Sequence, residues 1–224
     1  MSDRRAAASI GAAVAAMVAI VALGAATPPR PDVISTDRLG PESGEPVGDY
    51  LARARESLSG TDTGDHWALL SLTTGIPAAA IPEHAGGLRI SQVILHVPID
   101  RVYTPPIIVP VPAGDAAALD AQHAAAGTLR YATPADDRAR QVAATVTARL
   151  RADCPCVTGL VLRGALDELR NLASGKDVRA IQVLPADASA GTFALVPLLP
   201  EQTGTAVPGP DDGPIPVPDP VPAP

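Results

Sequence analysis

Apolar residues fill one stretch near the N-terminus completely and then recur with two distinct periods along the rest of the chain. From Ala6 to Ala26 the sequence reads AAASIGAAVAAMVAIVALGAA, in which Ser9 is the only residue that is neither apolar nor glycine. As a helix this segment is about 31 Å long at roughly 1.5 Å per residue, matching the hydrocarbon core of a bilayer. Residues 6–26 are therefore expected to be a transmembrane helix. Arg4 and Arg5 precede it and Thr27, Pro28 and Pro29 follow it, so the basic-residue bias puts residues 1–5 in the cytoplasm and the remainder outside. The alternative is a cleaved signal peptide, with Gly24 and Ala26 as the small residues before Thr27. Its apolar region, at about 20 residues, exceeds the usual 7–15 of that class. No cysteine follows the segment, which excludes a lipoprotein anchor.

Beyond the anchor, residues 27–45 carry Pro, Gly, Ser and charge without apolar periodicity and read as a juxtamembrane linker. Pro46 then sits where a helix would begin, with Val47, Tyr50, Leu51, Ala54 and Leu58 following at helical spacing. A domain is expected over 46–200. Its first strand is Trp67 to Leu72, interrupted by Thr73, Thr74 and Gly75. A short helical turn from Pro77 ends at Pro82, and a strand follows over Leu88 to Val97. The order strand, helix, strand returns near the C-terminus. Val157 to Arg163 and Val178 to Leu184 are strands, and the helix between them is lined by Leu166, Leu169 and Leu172 and stopped at Gly175.

A gapless offset of 90 superimposes the two units and pairs Leu70 with Leu160, Leu72 with Leu162, Arg89 with Arg179, Gln92 with Gln182 and Val93 with Val183. Five identities in 29 positions exceed the roughly two that common residue frequencies give. A βαβ crossover makes its two strands parallel, with the helix on one face. Two units sharing one sheet predict a small α/β (α+β) sandwich of ferredoxin-like type.

Between the units, residues 101–113 (RVYTPPIIVPVPA) hold four prolines among branched residues and are expected to be extended, as polyproline II or an edge strand. Asp115 opens an alanine-rich helix through His123 that stops near Gly127. A second helix starts with Thr133 as N-cap and Pro134 at its first position, and Val142, Val146 and Leu150 form its buried stripe. From Pro208 the chain reads PGPDDGPIPVPDPVPAP, and residues 201–224 are read as a proline-rich disordered tail, a spacer or a ligand for a proline-recognising groove.

Composition then narrows the class. One Phe, one Trp and three Tyr leave Leu, Val, Ile and Ala to build the core, which favours a small domain. The formal net charge of −7 argues against nucleic acid and anionic lipid surfaces as partners, since both need clustered basic residues. Cys154 and Cys156, one residue apart and placed outside the cytoplasm, are a candidate disulfide closing a very small ring. Intermolecular pairing or a redox or metal role are the alternatives, although redox pairs normally have two residues between the cysteines. His66, His84, His96 and His123 form no i, i+4 pair and no metal motif, so no metal or cofactor is expected. Asp65 and His66 beside Ser59 or Ser71 contain the residue types of a hydrolase triad, but there is no G-x-S-x-G elbow, P-loop, dinucleotide fingerprint or calcium loop. No catalytic residues are assigned.

The alanine-rich anchor, the stretch DRLGPESGEPVGDYLARARESL at residues 37–58 and VLRGALDELRNLAS at residues 161–174 resemble uncharacterised single-pass membrane-anchored proteins of high-GC actinobacteria. That resemblance implies an envelope location and no particular reaction. The sequence leads to a non-enzymatic protein anchored through residues 6–26, whose outer domain contacts another envelope or membrane protein. The alternative is a sensor or carrier of a small ligand or cell-wall fragment, using the sheet face or the loop at 101–113.

Overall fold

The computed structural model describes residues 37–112 and 114–216. The expected transmembrane helix at 6–26 and the end of the proline-rich tail, residues 217–224, lie outside the described residues. Among the described residues no helix is long and apolar enough to cross a membrane.

A short strand, β1 (Arg38–Leu39), precedes helix α1 (Val47–Ser57). The first βαβ unit is β2 (Asp65–Ile76), a 3-10 turn (Ala78–Ala80), α2 (Ile81–Ala85) and β3 (Arg89–Leu95). Then come β4 (Ile107–Pro110), α3 (Asp115–Leu119), α4 (Ala121–Leu129) and α5 (Asp137–Arg151). The second unit is β5 (Val157–Ala165), α6 (Leu166–Ala173) and β6 (Val178–Val183), followed by β7 (Ala194–Leu195). The main sheet runs β4-β3-β5-β2-β6 with every neighbouring pair antiparallel. Each strand of one unit is thus parallel to its own mate, with a strand of the other unit between them.

The register gives the repeat a physical basis. Leu70 of β2 lies directly opposite Leu160 of β5, so the two residues that the offset of 90 equates meet at the centre of the sheet. Around that pair the partners run symmetrically, Ser71 with Gly159 and Leu69 with Val161. The outer strand of each pseudo-symmetric half, β3 and β6, follows a different offset. Val93 faces Leu160 and Ile181 faces Leu70, so Val93 corresponds to Ile181, two residues short of Val183. Both of these strands bulge at the corresponding point: Ser91 is skipped between Ile90 and Gln92, and Arg179 is skipped between Val178 and Ala180. A bulge re-aims the extra side chain. In β6 it sends Arg179 toward a distant turn.

Alternation along the strands separates two cores. Ala68, Leu70 and Leu72 of β2, Val93 and Leu95 of β3 and Leu160 and Leu162 of β5 join one cluster beneath Ile81, Ala125, Val146, Leu150 and Leu169 of the helices. The opposite face presents Trp67, Leu69, Ile94 and Val161, covered by Leu39, Leu184, Phe193 and Leu195. The only tryptophan and the only phenylalanine of the chain meet there, with ring centroids 5.9 Å apart. Residues 37–45, the described part of the segment read as a linker, join this second layer through β1. β1 pairs in parallel with β7, and the Gln182 amide bonds both to the Arg38 carbonyl (3.0 Å) and to the Gly40 N–H (2.6 Å). Gly40 has φ +107° and a Cβ there would fall 1.5 Å from the Val196 oxygen, so only glycine fits.

Neither sheet edge is an open template. At β6, the Val183 N–H donates to Ser57 Oγ of α1 at 2.9 Å. At β4, the Val111 N–H donates to the Ser91 carbonyl, so odd-numbered residues face β3 and even-numbered ones face outward. Pro106, Pro110 and Pro112 occupy outward positions, and between Pro106 and Pro112 only Ile108 presents an N–H there. Proline at alternate positions blunts an edge against further strands.

Three element boundaries differ from the periodicity-based expectation. β2 continues through Thr73–Gly75 with a register shift rather than stopping. The alanine-rich helix divides at Asp120 and continues through Gly127 to Leu129. α5 begins at Asp137 and is capped by Asp136, whose carboxylate accepts the Ala139 N–H at 2.7 Å; Thr133 lies outside the helix. An aspartate beside the first turn is the stronger cap.

Candidate functional site

The residues with chemical potential in the sequence are scattered by the fold, with one exception. Cys154 and Cys156 are joined by a disulfide at the turn between α5 and β5. Gln122 of α4 holds that turn, donating to the Cys154 carbonyl (2.9 Å) and accepting from the Ala78 N–H (3.1 Å). Gly75 permits the turn to approach β2, because a Cβ at 75 would lie 2.0 Å from the Pro155 oxygen. The disulfide therefore sits in a packing junction of four elements.

His84 hydrogen-bonds the Ala80 carbonyl, and His123 lies 3.5 Å from Asp120 and 3.4 Å from Asp153 on the surface. His66 is buried, with Nδ1 on the Leu184 carbonyl and Nε2 on Asp62, each at 2.7 Å. Asp65 instead faces Arg163 at 3.9 Å, and Ser71 points to the opposite face of the sheet from His66. Asp65, His66 and Ser71 are not assembled as a triad. Among the described residues no group of three or more His, Cys, Asp or Glu is placed to hold a metal ion.

His96 is the exception. It follows β3, its N–H donates to the Cys156 carbonyl at 2.8 Å, and its side chain is buried at 5 % exposure. Nε2 lies 2.8 Å from Glu201 Oε1, and Nδ1 is buried without a partner. Burial works against ionisation of Glu201, but the hydrogen bond from His96 and the more distant Arg179 charge outweigh it and hold the carboxyl below its ordinary range.

The turn carrying Glu201 is fixed from beneath. The bulged Arg179 donates to the carbonyls of Leu199 (3.0 Å), Pro200 (3.4 Å) and Gln202. Gln202 closes the turn by accepting the Leu199 N–H at 2.9 Å and donating to the Val207 carbonyl at 3.0 Å. Residues 204–206 then pair with the chain at the start of α1: the Val47 N–H donates to the Gly204 carbonyl (2.9 Å), the Gly44 N–H to the Ala206 carbonyl (3.0 Å) and the Ala206 N–H to the Glu45 carbonyl (2.9 Å). On the other side, the loop after β3 is held by Thr104 Oγ1 donating to the Val97 carbonyl at 2.8 Å.

These two segments enclose a cavity of about 720 Å³ with His96 and Glu201 in its wall, joined by Asp100, Arg101, Thr104 and Thr203. That volume lies within the range of small-molecule sites. The arrangement can offer a polar ligand the half-exposed Glu201 carboxylate, oriented by the buried His96. A separate cleft of about 340 Å³ lies between β4 and α5, lined mainly by Tyr103, Ile107, Val142 and Val146 with Arg138 and Asp211 at its rim.

Sequence reasoning missed Glu201 and Arg179 as site residues. Glu201 stands inside a stretch read by composition as tail. The signal that marks it as ordered is the apolar pair Leu198 and Leu199 just before it, both buried. Residues 201–216 lie against the domain, with Ile215 packed on the main core. No family model, curated protein or solved structure matches the chain.

Proposed function

We propose that this chain is a single-pass membrane protein of the cell envelope, anchored by residues 6–26, whose outer domain binds a small polar ligand in the cavity beside His96 and Glu201. The observation that carries the reading is the pairing of the buried His96 with the half-exposed Glu201 carboxylate, 2.8 Å apart, in the wall of that cavity. A ligand hydroxyl or amide N–H that donates to that carboxylate gains a charge-assisted hydrogen bond. The chemistry fits a hydroxyl- or amide-bearing envelope solute, such as a cell-wall fragment. Binding rather than catalysis is the proposed role, since the cavity wall supplies threonines but no activated nucleophile. The interleaved strand order supports a ferredoxin-like sandwich extended at one edge by β4.

The test is thermal unfolding of the full chain in nanodiscs against a panel of soluble saccharides and peptidoglycan-derived peptides. At about 100-fold saturation a ligand adds roughly 2.7 kcal/mol, which raises Tm by several degrees. Glu201→Ala removes the carboxylate and is expected to abolish that rise. If no compound stabilises the wild type at saturation, the reading fails.

Anchorage has its own check. Intact-mass analysis of the protein from membranes is expected to find residues 1–26 retained. A mature chain beginning at Thr27 would make the same domain a secreted protein.

A second reading, a protein-interaction module contacting another envelope protein, draws on the anchor and on the apolar cleft beside Tyr103, which is 44 % exposed. Proximity labelling in intact cells is expected to return a reproducible neighbour under that reading, and only abundant membrane proteins would count against it.

A further inference from the structure

The cavity is bounded on one side by a stretch of chain that is held differently from the rest of the domain. Pro208, Gly209 and Pro210 line it. Behind them the chain is fastened by backbone pairing of Ala206 with Gly44 and Glu45. Ahead of them it is fastened at Asp211, Asp212 and Gly213. Between these two points, among the described residues, no backbone N–H of Gly209, Asp211 or Asp212 makes a main-chain hydrogen bond to the domain.

The forward fastening combines charged pairs with neutral contacts, among them Arg138 donating to the Gly213 carbonyl at 3.2 Å and, just beyond, Thr145 Oγ1 donating to the Pro216 carbonyl at 3.0 Å. Asp211 pairs with Arg138 at 2.7 Å and accepts the Tyr103 N–H at 3.2 Å, and Asp212 pairs with Arg101. All four charged side chains are 39 % or more exposed, so these pairs are weak and are screened by salt. Gly213 supplies the fit. Its N–H donates to the Arg101 carbonyl at 2.6 Å, and a Cβ there would lie 2.5 Å from the Asp100 oxygen and 2.8 Å from Arg101 Cβ. Arg101 itself adopts φ +53°, a left-handed conformation uncommon for a non-glycine residue. The same arginine lines the cavity and holds the segment across it. A backbone outlier at such a place is a reason to look for a switching role.

We infer that residues 208–213 are a latch over the cavity beside His96 and Glu201, hinged between Val207 and Ile215, and that release at Asp211, Asp212 and Gly213 admits ligand. This rests on the binding reading of that cavity and adds its regulation. The held form closes one side of the cavity, and the weak charged clasps let it reopen. Ionic strength shifts the balance toward the open form because both clasps are exposed ion pairs.

The experiment is carbethoxylation of the full chain in nanodiscs by diethyl pyrocarbonate, with modification of each histidine followed by mass spectrometry. His123, 51 % exposed, serves as the internal reference for the buried His96. In the wild type His96 is expected to react at least about tenfold more slowly than His123. The double variant Asp211→Asn and Asp212→Asn is expected to speed His96 about threefold to tenfold, the scale for two exposed ion pairs. Gly213→Ala is expected to speed it further. Raising salt should accelerate His96 in the wild type and have little effect in the double variant. Unchanged His96 reactivity in both variants overturns the latch. The reagent needs no ligand, so failure to find one sinks the binding reading alone. A ligand that associates equally fast with wild type and with the latch variants sinks the latch alone.

Discussion

Leu160→Ala is expected to destabilise the domain by roughly 3–5 kcal/mol, the upper part of the range for a buried leucine truncated in a core. Leu160 has no exposed surface and sits in the middle strand, opposite Leu70 on one side and Val93 on the other. The cluster it belongs to contains no aromatic side chain, and the helices above it contribute Ala118, Ala121, Ala125 and Ala126. Those alanines are too short to swing in and fill the space, and Leu150 and Leu169 beside them are already fully buried, so the cavity term adds to the lost transfer energy. Leu172→Ala is the control: Leu172 is only partly buried at the margin of the same cluster, and about 1 kcal/mol is expected. Urea unfolding of both variants measures the difference. A loss at Leu160 no larger than at Leu172 would mean that the centre of the sheet does not hold the fold.

The centre of that sheet was the part of the fold most legible in the sequence. Val157 to Arg163 and Trp67 to Leu72 are runs of branched residues long enough to span a sheet, and the breakers Pro77, Pro82, Gly86 and Gly175 mark where each crossover turns. The offset of 90 holds in the two central strands because they pair about Leu70 and Leu160. It slips by two residues in β3 and β6, and an even slip keeps the same face inward. Identities at Gln92 and Gln182 therefore share a face without being equivalent. Gln182 bonds to Arg38 and Gly40, while Gln92 Oε1 is buried without a partner.

The second layer was not legible. β1 and β7 are two residues each, too short for a period, and they meet across more than 150 positions of chain. The alternation of Pro106, Pro110 and Pro112 does carry a readable message about an outward edge, but only once one hydrogen bond sets the parity of the strand. The candidate site depends on the same kind of long-range event. His96 and Glu201 are separated by the whole second βαβ unit, and the arginine that props the Glu201 turn reaches it from a bulge. Local patterns do not report such contacts, and the proline content around Glu201 points away from order.

Tyr50 carries the second large expected effect, which appears only at high pH. Its side chain has no exposed surface, and its phenol is pushed up to about 12, by burial first, against smaller opposing contributions from neighbouring Ser71 and the Arg53 charge. Neither the Tyr50 hydroxyl nor Ser71 Oγ makes a hydrogen bond within 3.5 Å, so Ser71 is a polar neighbour rather than a bonded partner. Below about pH 10 the phenol is neutral in both folded and unfolded chains and contributes no pH dependence. Between about pH 10 and 12 the unfolded chain loses the proton while the folded chain keeps it. Fewer protons on the unfolded state means that stability falls as pH rises, by roughly 1.4 kcal/mol per unit and about 2.7 kcal/mol across the window. Few other groups interfere, because Lys176 is the only lysine, both cysteines are in the disulfide, and Tyr103 and Tyr131 are 44 % and 81 % exposed. Tyr50→Phe is expected to remove this slope and to leave stability at pH 8 within about 1 kcal/mol, since the hydroxyl it deletes is buried without a partner. Urea midpoints of wild type and variant at pH 8, 10 and 11.5 make the comparison. Equal slopes in the two proteins would place the alkaline loss elsewhere and show that the α1 contact does not bury a neutral phenol.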